Sequence, residues 1–107
     1  IEKAILSVKE YQGKNNLNLQ VEIEARSLQD IETIIKVGNI NRIMFDNFTP
    51  PAMKQAVELV NTKFETEASG GIILSTIRPF AESGVDFISV GALTHSSVSL
   101  DLSLKAF

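Results

Sequence analysis

The sequence predicts a parallel α/β fold, and three observations carry that prediction. Segments of helical period and segments of strand period alternate along the chain, the pattern of βαβ units. Glu24, Asp46 and Glu67, near the ends of three successive strand segments, are 22 and 21 positions apart, room for one tight βα unit each. No linker or low-complexity stretch divides the 107 residues, so one core is expected. Leucine-rich repeats share this period, but their Leu/Asn consensus is absent.

Each element has a local cause. Ile1, Ala4, Ile5 and Val8 fall at i, i+3, i+4 and i+7 and form one helical face. Gly13 to Asn16 ends it. Leu17 to Ala25 alternates apolar and polar residues, which predicts a strand. Ser27-Leu28-Gln29-Asp30 reads as a capping box, and Leu28, Ile31, Ile34 and Ile35 continue as a helix closed by Gly38. Arg42 to Asp46 is a short strand. Thr49 before Pro50 is an N-cap followed by a first-turn proline, and Met53, Ala56, Val57 and Val60 repeat the helical face. Phe64 to Ala68 is the third strand. Ser69-Gly70-Gly71 turns into a helix reaching about Ser83, with Pro79 tolerated only near its start or at a kink. Val85 to Val90 is a fourth strand, and Val98 to Leu104 alternates once more. Four parallel strands do not close an eight-stranded barrel. The alternatives are an open doubly wound sheet and half of a barrel.

Composition narrows the function. Net charge is −3 with no Lys/Arg cluster, which argues against a nucleic-acid surface. Absence of cysteine excludes disulfides and thiolate metal sites. No apolar run approaches the roughly 20 residues of a membrane span. Glu2 and Lys3 interrupt the first turn and no signal-peptide core follows, so a cytoplasmic setting is expected. Residue 1 is Ile and enters a helical pattern uncapped; the expectation is a segment of a longer chain.

The chemistry-bearing residues gather at strand ends. Glu22 and Glu24 share one strand face, as do Arg42, Met44 and Asp46, and as do Glu65 and Glu67. If the apolar faces meet the helices, the carboxylates point into a barrel, where they are costly unless paired or used. Glu22 and Glu65 are read as solvated or paired with Arg42. Glu24 and Asp46 are read as functional, because sites of such folds lie at the C-terminal strand ends and carboxylate oxygens suit Mg²⁺ or sugar hydroxyls. Ser69-Gly70-Gly71, between a strand and a helix, lets backbone N–H groups approach an anion. Gly91-Ala92 repeats that turn one strand later, and two such turns match a phosphate site. His95, the sole histidine, stands close enough to Gly91 to reach the same anion or to serve structure alone. Asn47 either orients Asp46 or caps the turn. No Ser/His/Asp or Cys/His arrangement supports nucleophilic catalysis.

These residues also form a recognisable series. Val21-Glu22-Ile23-Glu24, Met44-Phe45-Asp46-Asn47-Phe48, Glu67-Ala68-Ser69-Gly70-Gly71-Ile72, Ala81-Glu82-Ser83-Gly84-Val85-Asp86 and Ser89-Val90-Gly91-Ala92-Leu93-Thr94-His95-Ser96 occur in order. The chain resembles the carboxy-terminal part of the quinolinate phosphoribosyltransferases over nearly its whole length, Leu100 to Lys105 included. Phe45 stands where leucine is common, Ile73 where a polar residue is frequent, and Pro79 is unusual in its helix. None removes a ligand. The resemblance implies an incomplete, TIM-barrel-like parallel α/β barrel, with residues 1–97 its second half and 98–107 a terminal strand returning to a flanking domain absent from this chain. It implies transfer of a phosphoribosyl group from phosphoribosyl pyrophosphate to quinolinate, giving nicotinate mononucleotide, CO₂ and pyrophosphate in NAD biosynthesis. It implies a Mg²⁺ cofactor and a homodimer. Glu24 and Asp46 match the acids at the ribose hydroxyls and metal. Ser69, Gly70, Gly91 and His95 match the 5′-phosphate site, with Gly71 and Ala92 as neighbours. The basic residues that grip quinolinate have no match here, so the missing amino-terminal part is an expected partner and the segment alone is expected to be inactive. Two other readings are a related barrel protein with another acceptor, such as the molybdenum-associated relatives, and a phospho-ligand binding module without catalysis.

Overall fold

The computed structural model of the chain describes residues 1–91. Eight elements alternate in order: α1 (Glu2–Lys14), β1 (Glu22–Ala25), α2 (Leu28–Val37), β2 (Arg42–Asp46), α3 (Pro50–Val60), β3 (Glu65–Ser69), α4 (Ile77–Glu82) and β4 (Phe87–Ile88). The strands form one parallel sheet in the order β1-β2-β3-β4. Sequential order places every crossover between neighbouring strands. Each helix also packs on the next, α1 on α2, α2 on α3 and α3 on α4, so the helices share one side of the sheet. A doubly wound sheet places helices on both sides; this arrangement is instead the wall of a partial α/β barrel.

The core lies between that helical layer and one sheet face. Ala25, Ile43, Phe45 and Ala68 point into it together with Ile31 and Ile34 of α2 and Met53 and Ala56 of α3, all fully buried. The Phe45 and Phe48 rings tilt against each other at 5.5 Å. Burial of such side chains contributes about 1.5–3 kcal/mol each, which fixes the face that β2 turns inward. Its other face carries Arg42, Met44 and Asp46.

Local signals set the helix starts. The Ser27 hydroxyl accepts from the Asp30 N–H at 3.1 Å, and the Asp30 carboxylate accepts from the Arg26 N–H at 3.0 Å. Thr49 caps α3 through the Ala52 N–H, with proline following at once. Gly38 closes α2 with φ 67°.

Three expectations change. The first strand is shorter than the alternation from Leu17 suggests. Leu17 and Leu19 are exposed, and their N–H groups bond back to the Gln12 carbonyl and side chain. β2 starts at Arg42, opposite Glu22, so among the described residues those before Val21 have no strand to pair with. The fourth strand contracts to Phe87–Ile88, although the Asp86 and Ser89 N–H groups continue the ladder to Thr66 and Ala68. Finally, the helix expected directly after Gly71 begins at Ile77. A turn held by Thr76, whose N–H and hydroxyl both bond the Ile73 carbonyl, occupies the space between, and Pro79 sits in the helix's first turn. Ala92, His95 and the proposed terminal strand at 98–107 lie outside the described residues.

Candidate functional site

Strand register decides which groups meet at the C-terminal edge. Asp46 is level with Ser69, and Glu24 is level with Met44 and Glu67. Asp46 and Ser69 therefore end adjacent strands side by side, while Glu24 sits two positions lower. Arg26, one residue past β1, is the group that reaches their height. Its Nε donates to Glu24 Oε1 at 2.7 Å and lies 3.6 Å from Asp46 Oδ2. The two carboxylates thus converge on one nitrogen. Glu24, and to a lesser degree Asp46, raise the guanidinium's already high pKa. The Asp46 side chain is about three-quarters buried and that of Glu24 rather more than half, so both remain within reach of a ligand. Nothing in the composition singled out Arg26: a lone arginine before a capping serine looks like ordinary surface. Its only signal was its even spacing from Glu22 and Glu24, which keeps it on their face.

The glycine turn adjoins Asp46. Gly70 and Gly71 have φ of 99° and 64°, a region that side chains disfavour. A Cβ on Gly70 would stand 2.4 Å from Asn47 Oδ1 and 2.9 Å from the Asn47 nitrogen. Asn47, itself at φ 58°, donates its N–H to the Ser69 carbonyl at 3.0 Å. The turns after β2 and β3 are therefore nested backbone on backbone. Gly70 is needed first for this packing, whatever it also does for a ligand. Gly71 faces open space. Gly91 follows buried Val90 beyond β4, at the next strand end in the sheet. The α4 N-terminus, displaced to Ile77 and belonging to a helix of six residues, does not adjoin the turn. Any anion there would rely on loop N–H groups and the Ser69 hydroxyl.

The remaining acids are engaged lower on the same face. Arg42 pairs with Glu65 at 2.9 Å and Glu67 at 3.3 Å, and its guanidinium stacks 4.0 Å above the Phe87 ring. Glu67, buried, also accepts from the Ser89 hydroxyl. Burial opposes its ionisation, but hydrogen bonds from Ser89, Glu22 and Arg42 outweigh this and lower its pKa. Glu22 moves the other way. Partial desolvation raises its pKa, the bond to Glu67 and that residue's charge add to the rise, and Arg42 offsets part of it. Glu65 is thus paired with Arg42 as its position suggested, and Glu67 belongs to this network rather than to the strand-end site.

A cleft of about 480 Å³ opens at the opposite edge, between Asn41, Lys63, Glu65 and Asp86. Asp86 there is committed to structure: its carboxylate accepts from the Thr66 N–H and hydroxyl at 2.8 and 3.1 Å. That leaves Glu24 and Asp46 at the C-terminal edge as the candidate ligand acids of the sheet face.

A parallel α/β wall with convergent acids and a glycine turn at its C-terminal edge defines a barrel-type, strand-end ligand site. Comparison with known proteins gives the lineage: the family profile described as quinolinate phosphoribosyl transferase, C-terminal domain, matches residues 1–105, and the chain belongs to that family. It is 43% identical to the chloroplastic nicotinate-nucleotide pyrophosphorylase [carboxylating] of Arabidopsis thaliana, over 98% of this chain and 34% of that protein. It is 41% identical to the probable enzyme of the same name from Bacillus subtilis, over 82% of this chain and 29% of that protein. The solved nicotinate-nucleotide pyrophosphorylase from Francisella tularensis superposes with a TM-score of 0.81 at 35% identity, covering 96% of this chain and 36% of the other. The chain spans about a third of the length of these relatives.

Proposed function

We propose that this segment supplies the ribose-phosphate side of a phosphoribosyl transfer from phosphoribosyl pyrophosphate to quinolinate, with decarboxylation to nicotinate mononucleotide. The carrying observation is the juxtaposition of Asp46 with Ser69 at adjacent strand ends, with Glu24 brought to the same point by Arg26. In this reading Glu24 and Asp46 accept hydrogen bonds from the ribose hydroxyls. Their charge stabilises the ribosyl centre, which turns positive as its bond to pyrophosphate breaks. Ser69, Gly70, Gly71 and Gly91 are assigned to the 5′-phosphate, and the family resemblance adds Ala92 and His95.

Among the described residues no group of three Asp, Glu, His or Cys side chains is placed to hold a metal. A pair of carboxylates nonetheless fits Mg²⁺, which keeps several waters and takes its other ligands from substrate phosphates. Glu24 and Asp46 are the donors assigned to it, and bound there it would supply charge neutralisation for the departing pyrophosphate. Cations for the pyridine dicarboxylate, and a second copy of the chain in a dimer, come from outside this segment. Pyrophosphate release by the full-length protein, with and without quinolinate, tests the reading. Release that depends on quinolinate supports it. Release with another acceptor only, or phosphoribosyl pyrophosphate binding without turnover, refutes it in favour of a related transferase or a binding module.

A further inference from the structure

We propose that Arg26 is a resident counter-cation of the Glu24–Asp46 pair, which a divalent ion must displace to bind. This rests on the assignment of that pair to a metal-assisted site. The guanidinium occupies the approach between the carboxylates, 2.7 Å from one and 3.6 Å from the other, so it and a divalent ion compete for the same oxygens. The main chain of Arg26 is anchored separately, its N–H bound to the Asp30 carboxylate within the α2 cap, whereas its side chain is 76% exposed. The arm can therefore swing without disturbing β1 or α2. A cleft of about 260 Å³ beside it, reaching Asn47, Thr49 and Ala52 between the β1–α2 and β2–α3 loops, gives the displaced group room. In the ligand-free protein the arginine holds two like charges together; once the ion arrives it is released.

The test is Mn²⁺ affinity of the full-length protein without substrate, read by the free-ion electron paramagnetic resonance signal. Arg26→Gln removes the competitor and is expected to tighten Mn²⁺ binding about two- to fivefold, the scale of an exposed ion pair. Arg78→Gln removes an equal charge from an exposed i,i+4 pair with Glu82, and is expected to leave the affinity unchanged. Glu24→Gln should weaken binding. Equal or weaker affinity in Arg26→Gln, or equal tightening in Arg78→Gln, overturns the inference. Pyrophosphate release by the wild-type protein separates the two levels. Quinolinate-dependent release with a Mn²⁺ affinity indifferent to Arg26 refutes the counter-cation alone. Neither release nor Mn²⁺ binding refutes the site reading and the counter-cation together.

Discussion

Replacing Gly70 with alanine tests the nested turns. The new Cβ would lie 2.4 and 2.8 Å from the Asn47 side chain and 2.9 Å from its backbone nitrogen, at φ 99°. The conformation costs about 1–2 kcal/mol for a residue with a Cβ. Overpacking against a neighbour that cannot withdraw adds about 1–3 kcal/mol. Gly70→Ala should therefore lose about 2–5 kcal/mol, a large part of the roughly 5–15 kcal/mol that holds a typical domain together. Gly71→Ala is the control, since its Cβ meets nothing within 4 Å at φ 64°; it should lose only about 1–2 kcal/mol. Asn47→Gly removes the two side-chain contacts but leaves the backbone one, so the double variant should recover part of the loss and show coupling. Urea unfolding of the full-length variants measures all four corners. Equal losses for Gly70→Ala and Gly71→Ala, or no coupling to Asn47, would refute the nested packing. Gly70→Val would add bulk to the same collision, so any loss of phosphate binding in it would mix with loss of fold.

Other outcomes follow from the site and its surroundings. Asp46→Asn and Glu24→Gln should each lower kcat/KM for the transfer by about 2–4 kcal/mol of transition-state stabilisation while shifting urea midpoints little; unchanged kinetics in both would remove the acids from the mechanism. Ser69→Ala should weaken phosphoribosyl pyrophosphate binding by about 1 kcal/mol, one hydrogen bond, as read by calorimetric titration. Glu22→Gln should stabilise the protein at pH 7 by no more than about 0.5 kcal/mol after solvent screening. Because folding raises the Glu22 pKa, wild-type Glu22 contributes fully below its unfolded pKa of about 4.5 and loses that contribution as pH rises through the folded value. The variant's gain should be absent at pH 4 and present at pH 7 in parallel denaturation curves. Ser27→Ala, losing the Asp30 N–H acceptor, should cost about 1 kcal/mol by the same measurement.

The parts legible in the sequence are those with local causes. Arg42 to Asp46 alternates and is bounded by a cap and a proline, and the strand and the start of α3 fall where those signals put them. Ser27 and Gly38 bracket α2 for the same reason. Leu17 to Val21 alternates as well as any strand, yet strand formation also needs a partner, and the partner begins at Arg42. The glycines after β3 read as a helix-opening turn because sequence shows no difference between a glycine required by a ligand and one required by Asn47. The place of Arg26 is not legible in the sequence because it arises from register: only the pairing of β1 with β2 carries it to the height of Asp46. Spacing puts Glu67 near the strand end, level with Glu24, but its bonds to Arg42 and Ser89 tie it into the structural network instead.

The stack of Arg42 on Phe87 joins β2 to β4 across the whole width of β3. Neighbouring strands stand about 4.8 Å apart, so this strap spans a distance that backbone pairing alone does not cover. Its grip on Glu65 and Glu67 of the intervening strand makes three strands one mechanical unit. β4, only two residues long, then borrows persistence from a side chain two strands away. In amide exchange, Ile88 and Ser89 should open together with the centre of β2 rather than fray as a free edge. β1 lies outside the strap, so its amides should not share that common opening.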